Sequence, residues 1–167
     1  YRMVAEWAEE NNSVPPVVVD NLPFFLPGYT QSACVRRMEH PSGMKILFID
    51  YPSAYDREAL YTEAGQDYDD NLTRFAVFSK AGLEALKALH IRPDILHAHD
   101  WQAAMAVVYL KSHYAEDPFF AGTRSLLTIH NLGYQGRFSG DKYQGLDLPW
   151  ELFNEEGLEY FGQVNVL

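Results

Sequence analysis

Apolar and polar positions divide the chain into blocks of different period. Met44–Asp50 (MKILFID) sets Ile46, Leu47, Phe48 and Ile49 side by side between Gly43 and Pro52, and reads as a buried strand. From Asn71 to His90 the apolar positions recur at intervals of three and four: Leu72, Phe75, Ala76, Leu83, Leu86, Leu89. That spacing predicts an amphipathic helix, with Asp70 or Asn71 placed to cap its start. Pro93 closes the connection, and Asp94–His97 reads as a second strand. Residues 101–114 (WQAAMAVVYLKSHY) are rich in Ala and free of Gly and Pro, which predicts a second helix. Ser125–Ile129 (SLLTI) is a third strand that runs out into His130-Asn131-Leu132-Gly133. The rest is less regular. Residues 51–70 mix acids with tyrosines and show no period, as expected of a long polar loop. Before Met44, Val17-Val18-Val19 has strand character, but Pro15, Pro16, Pro23 and Pro27 are expected to break that region into loop-like pieces.

Strand, helix, strand, helix, strand is the order of an α/β fold, a Rossmann-like open parallel sheet with crossover helices. The strands lack polar alternation, as expected where both faces of a sheet are covered. With 167 residues the chain suits one domain with a substantial core. Its 47% apolar and 14% aromatic content excludes wholesale disorder. A net charge of −10 argues against a nucleic-acid partner or an anionic membrane surface, both of which need clustered Lys and Arg. No run reaches the roughly 18 apolar residues of a membrane span. Cys34, the single cysteine, can form neither an internal disulfide nor a Cys-rich metal site, which fits a reducing compartment.

In open parallel sheets ligands bind beyond the carboxyl ends of the strands. Two of those ends are His97-Ala98-His99-Asp100-Trp101 and His130-Asn131, and parallel strands would put both on one edge. Each residue also has an ordinary explanation. A strand-end histidine is often a hydrogen-bonded junction, Asp100 is placed to cap a helix, and Trp101 suits packing. His130 is the strongest candidate for chemistry. The segment Asn131-Leu132-Gly133-Tyr134-Gln135-Gly136 follows it, with glycines that let backbone approach a ligand. The amides of Asn131 and Gln135 and the hydroxyl of Tyr134 suit a hydroxyl-rich partner. A metal site is disfavoured: in the binuclear zinc pattern HxHxDH the acid stands two places after the second His, whereas Asp100 follows His99 directly. No phosphate-binding glycine loop and no G-x-S-x-G elbow occurs.

The combination RPDILHAHDWQAA (92–104) with LLTIHNLGYQGRF (126–138) resembles the bacterial glycogen synthase and plant starch synthase family. Other segments match in order. Tyr55-Asp56-Arg57 with Tyr61 resembles the family's D-x-P-x-x-Y-D-R…Y loop, and Tyr68-Asp69-Asp70-Asn71 with Arg74-Phe75 its Y-x-D-N-x-x-R-F. Leu148-Pro149-Trp150 and Gly157–Asn165 resemble its L-P-W and G-L-E-F/Y-x-G-Q-x-N/S segments. The resemblance covers residues 46–167.

It implies a retaining glycosyltransferase of the GT-B kind, with two Rossmann-like domains and a cleft between them. Such enzymes transfer glucose from ADP-glucose, or UDP-glucose in some, to the non-reducing end of an α-1,4-glucan without a metal or other cofactor. By motif position His130 matches the active-site histidine that contacts the transferred glucose, and Asp100 an active-site acid. Asn131 and Tyr61 match positions near the sugar. The family's K-x-G-G-L loop is not found in these residues, nor are the diphosphate-binding residues and E-x₇-E segment of its C-terminal domain. Residues 1–167 are therefore expected to be part of the N-terminal, acceptor-side domain, inactive without the rest. The resemblance implies a cytoplasmic enzyme, or a plastid one where a transit peptide precedes it. Two other readings stand beside it. One is a non-catalytic glucan-binding module using Tyr134, Phe138, Tyr143, Trp150 and Tyr160. The other is a sucrose-synthase-like transferase, set apart by a fructose acceptor.

Overall fold

The computed structural model describes residues 8–10, 14–27 and 29–167, and of residues 29–31 the backbone alone. The first sheet is antiparallel, with three strands in the order β1-β2-β3: β1 (Val17–Leu26), β2 (Tyr29–Glu39) and β3 (Lys45–Asp50). The prolines expected to fragment this region do not do so. Pro23 lies inside β1, opposite Ser32, because β1 is an edge strand and needs no amide on its outer side. The pairing slips between Val17 and Val19 and again between Val19 and Leu22, as bulges on an edge strand do.

Lys45–Asp50 is a strand, as its apolar run predicts, but it is half-buried and pairs antiparallel with β2, from Cys34 opposite Asp50 to Glu39 opposite Lys45. The turn between them explains the direction. His40 N–H donates to Met44 O at 2.8 Å and Gly43 N–H to His40 O at 2.8 Å, with Gly43 at φ 85°. A tight turn of this kind returns the chain beside the strand it has just left, so β3 joins its sequence neighbour.

The polar stretch after β3 is folded rather than loose. A single helical turn, α1 (Pro52–Tyr55), is followed by the short hairpin β4 (Thr62–Glu63) and β5 (Gln66–Asp67). Ala64 and Gly65 turn it with φ of 50° and 82°, the double left-handed geometry of a type I′ turn. Two arginines fasten this segment. Arg57 makes a fork on the Asp70 carboxylate at 2.8 and 2.5 Å. Arg74, 4% exposed, donates to the carbonyls of Ala54 at 2.7 Å and Leu60 at 3.1 Å and to Asn71 Oδ1 at 2.6 Å.

α2 (Asn71–Ala88) is the helix that the three- and four-residue spacing predicts. It buries Leu72, Ala76, Val77, Leu83 and Ala85, and lies against β1 and against α3 (Asp100–Lys111). Asp70 precedes it but does not cap it through its side chain, because Arg57 holds that carboxylate. The helix ends where His90 adopts φ 53°, the left-handed stop usual at a helix C-terminus. α3 begins as predicted and turns Trp101, Ala104, Met105 and Tyr109 inward. The Tyr109 hydroxyl, 0% exposed, donates to Leu146 O at 2.7 Å, and burial pushes its pKa far upward.

β6 (Ile95–His99) and β7 (Arg124–Thr128) form a parallel pair, from Ile95 opposite Arg124 to His99 opposite Thr128. This is the parallel, helix-crossed part of the expected α/β fold. It differs in one respect from a sheet covered on both faces. α3 covers the face of Leu96, Ala98 and Leu127, while Ile95 at 61% and Leu126 at 51% lie exposed on the other. α2 stacks on α3 and β1 rather than across this second face, which therefore stays open. The C-terminal part builds a small antiparallel sheet in the order β8-β10-β9: β8 (Arg137–Ser139), β9 (Glu159–Tyr160) and β10 (Gln163–Asn165). Among the described residues no helix is long and apolar enough to cross a membrane.

Candidate functional site

The parallel register of β6 and β7 brings the two strand ends together as the sequence predicts. His97 and His99 share one face of β6, two residues apart, and His130 follows β7 on the same side. Their side chains touch in sequence. His97 Nε2 lies 2.7 Å from Thr128 Oγ1, and His99 Nδ1 lies 2.9 Å from His130 Nε2. The His97 and His99 rings are 4.1 Å apart, and the His99 and His130 rings are stacked at 5.2 Å with 18° between planes. All three imidazoles are exposed on the open face of the pair. No group of three or more His, Cys, Asp or Glu among the described residues is placed to hold a metal ion.

Asp100 stands at the strand-to-helix junction with φ 57°, a left-handed backbone that a non-glycine residue adopts at a cost. That bend aims its carboxylate across the strand ends rather than along α3. Asp100 Oδ1 accepts the backbone N–H of His130 at 2.7 Å, and makes no cap bond to its own helix. The helix-cap explanation of Asp100 is thereby replaced by a tie to His130.

The next residue secures the other end of the loop. Trp101 is buried and its indole lies under Gly136, where a Cβ would meet it at 2.8 Å with φ at 65°. This is a close approach that only glycine permits. Val166 N–H donates to Gly136 O at 3.2 Å and binds the same point to the end of β10. Two adjacent residues at the head of α3 thus hold both ends of the 130–136 loop.

The four other predicted residues, three of them in the loop, differ in what they offer. Tyr134 is 71% exposed. Asn131 is exposed, and its Oδ1 accepts Gly133 N–H at 3.0 Å, which shapes the turn. Gln135 is half-buried and uses both ends of its amide internally: Nε2 donates to Leu132 O at 3.1 Å, and Oε1 accepts from Asn165 Nδ2 at 3.0 Å. Tyr61 sits further off, on the hairpin side. Its ring, 36% exposed, packs on Phe75 at 5.8 Å, and a ladder of rings continues from Phe75 to Trp101 at 4.9 Å and to Phe138 at 5.4 Å. Its carbonyl accepts from Asn71 Nδ2 at 2.9 Å and Tyr68 N–H at 2.9 Å.

Arg74 and Asn71 hold the Tyr61 segment in place, a role that the sequence pattern does not reveal. Their segment stands out in the sequence only as a motif, and a buried arginine leaves no periodic trace. Of the aromatics considered for stacking on sugar, Tyr143 is 1% exposed and Phe138 packs on Trp101, whereas Trp150 at 62% and Tyr160 at 44% remain on the surface.

This architecture matches known proteins along nearly its whole length. The family model described as the starch synthase catalytic domain matches residues 5–167. The chain belongs to that family. It is 49% identical over 125 residues to the glycogen synthase of Koribacter versatilis, covering 75% of this chain and 26% of that protein. Glycogen synthase 2 of Geobacter sulfurreducens is 42% identical over 122 residues, 73% of this chain and 25% of that protein. The glycogen synthase of Rhizobium tropici is 42% identical over 156 residues, 91% of this chain and 31% of that protein. Among solved structures, the catalytic domain of starch synthase IV from Arabidopsis thaliana, bound to ADP and acarbose, superimposes with a TM-score of 0.78 at 26% identity. That match covers 90% of this chain and 31% of the other. The chain thus spans 25 to 31% of the length of these relatives. The expected α/β fold of the GT-B starch synthase kind is the one found.

Proposed function

We propose that residues 1–167 are part of the N-terminal, acceptor-side domain of a glycogen or starch synthase. The complete enzyme transfers glucose, with retention, from ADP-glucose to the non-reducing end of an α-1,4-glucan. The observation that carries the reading is the tie between Asp100 and His130, at 2.7 Å, between two residues that the family's motifs mark as active-site groups. A nucleotide-sugar donor is supported by the glycogen synthases among the relatives, and an adenine nucleotide by the ADP bound to the plant neighbour.

In a retaining transfer the acceptor hydroxyl approaches on the face from which the diphosphate leaves, through an oxocarbenium-like state. Catalysis then depends on holding the sugar and stabilising charge on the leaving phosphate. On this reading a second domain holds the diphosphate, and this chain supplies the wall against the glucose. Asp100 fixes the main chain at His130, so the imidazole and the carbonyl of His130 meet the sugar at a set position. Asn131, Tyr134 and Tyr61 line the approach with polar edges, and Gln135 keeps the loop in shape. No cofactor beyond the nucleotide sugar enters the scheme, and the cytoplasm is its place of action.

The test is to assay the intact protein that carries this chain for transfer of labelled glucose to glycogen, offering ADP-glucose and UDP-glucose separately. Transfer from ADP-glucose with formation of α-1,4 linkages supports the reading. Transfer to fructose instead of glycogen, or tight glycogen binding without turnover, would replace it. The 167 residues alone are expected to show no transfer.

A further inference from the structure

We infer that His99 is a positioning residue that fixes the ring of His130, and that His130 therefore presents Nδ1, not Nε2, to a bound sugar. This rests on the reading of His130 as a sugar-contacting residue and specifies how it makes contact.

The geometry behind it is local and complete. His130 is the first residue past β7 and its side chain is exposed, so packing alone does not choose its rotamer. Two consecutive residues supply what packing does not. Asp100 takes the main-chain N–H of His130 at 2.7 Å, and His99 Nδ1 lies 2.9 Å from His130 Nε2. His99 is itself held, since the His97 ring lies 4.1 Å away and His97 bonds Thr128 Oγ1 at 2.7 Å. Two ring nitrogens at hydrogen-bond distance share one proton, so one ring donates and the other accepts. In either arrangement Nε2 of His130 is engaged with His99. The nitrogen left for a ligand is Nδ1, an acceptor where Nε2 donates to His99 and a donor where Nε2 accepts. The arrangement resembles the way a second side chain holds the ring of a working histidine elsewhere.

The experiment uses the intact enzyme with His99→Ala, His99→Asn and His130→Ala. An asparagine places an amide atom close to where His99 Nδ1 stands, so it can restore the bond without the ring. His99→Ala is expected to lower kcat about tenfold or more, with the KM for glycogen changed by no more than about twofold. His99→Asn is expected to recover most of the loss. In ¹⁵N spectra of the wild-type enzyme a through-hydrogen-bond coupling is expected between His99 Nδ1 and His130 Nε2, with no such partner for His130 Nε2 in His99→Ala.

Wild-type kcat in His99→Ala, beside a collapse in His130→Ala, would overturn the inference and leave the functional reading intact. Wild-type kcat in both would overturn that reading itself. Equal inactivity of folded His99→Ala and His99→Asn would show that the hydrogen bond is not what His99 provides. Should His99→Ala fail to fold, the wild-type spectrum still decides, because the lack of a coupling between the two nitrogens contradicts the inference.

Discussion

Asp100 accepts the backbone amide of His130 at 2.7 Å, so the first residue of α3 is tied directly to the residue that follows β7. The bond spans two strand ends that lie side by side only because β6 and β7 are parallel. It also accounts for the left-handed backbone of Asp100 at φ 57°, a strain that turns the carboxylate toward His130.

Asp100→Ala removes the acceptor and places a Cβ-only residue in the left-handed region. The expected cost is about 1–3 kcal/mol of stability, read as a lower urea midpoint. In the intact enzyme kcat is expected to fall with it. Asp100→Asn keeps an oxygen in place and tolerates the backbone, so it is expected to lose less of both. Equal losses in the two variants would mean that the negative charge, not the hydrogen bond, is what matters.

Gly136→Ala tests the other end of the loop. Its φ of 65° and the 2.8 Å approach to Trp101 both oppose a methyl group. A loss of about 2–4 kcal/mol is expected from backbone strain and overpacking together. Trp101→Leu makes room, so the double variant is expected to lose less than the two single losses added. Simple additivity in denaturant titrations would show that the contact is not the source of the cost.

Arg74 holds three acceptors from inside α2, and burial lowers its pKa from the usual guanidinium value. Arg74→Met leaves the carbonyls of Ala54 and Leu60 without that donor. A loss of about 2–4 kcal/mol is expected, with faster proteolysis between residues 55 and 70 as the Tyr61 segment comes free. An unchanged cleavage pattern would detach Tyr61 from this network.

Lys87 and Asp117 give a pH dependence. They pair at 2.6 Å, and the bond from Lys87 holds the Asp117 carboxyl below its ordinary range. A depressed carboxyl pKa stabilises the fold above the unfolded value of about 3.9, and the contribution is lost as pH falls through the lower folded value. Asp117→Asn is therefore expected to lower the urea midpoint at pH 7 and to converge on wild type in acid, once pH has fallen below the folded value. A constant gap between the two proteins under both conditions would contradict this.

Much of the helical and parallel part of the fold can be read from the sequence, because its cause is periodic. The spacing of Leu72, Ala76, Leu83 and Leu86 predicts α2, and the apolar runs ending in His99 and His130 predict two parallel strands whose ends meet. The antiparallel sheet is harder to read. Prolines signal loops, and nothing in Pro23 itself says that its strand will lie at an edge. The direction of Lys45–Asp50 depends on the turn at Gly43, not on its own apolar pattern. In the site, the residue types at 97–101 and 130–135 mark two strand ends that the parallel register brings together. Which atom of Asp100 meets which atom of His130 depends on one dihedral angle at the junction, and composition does not encode that. Gln135 shows the opposite case: an amide suited to sugar that the fold uses to hold its own loop.

The central claim is that His130, held by its neighbours, works on the transferred sugar. The most direct measurement compares wild type with His130→Ala in the intact enzyme, reading kcat for glucose transfer from ADP-glucose and the affinity for glycogen in parallel. The account predicts that kcat collapses by about a hundredfold or more while glycogen affinity changes little. Equal loss of turnover and of glycogen affinity, or full activity in the variant, would contradict it.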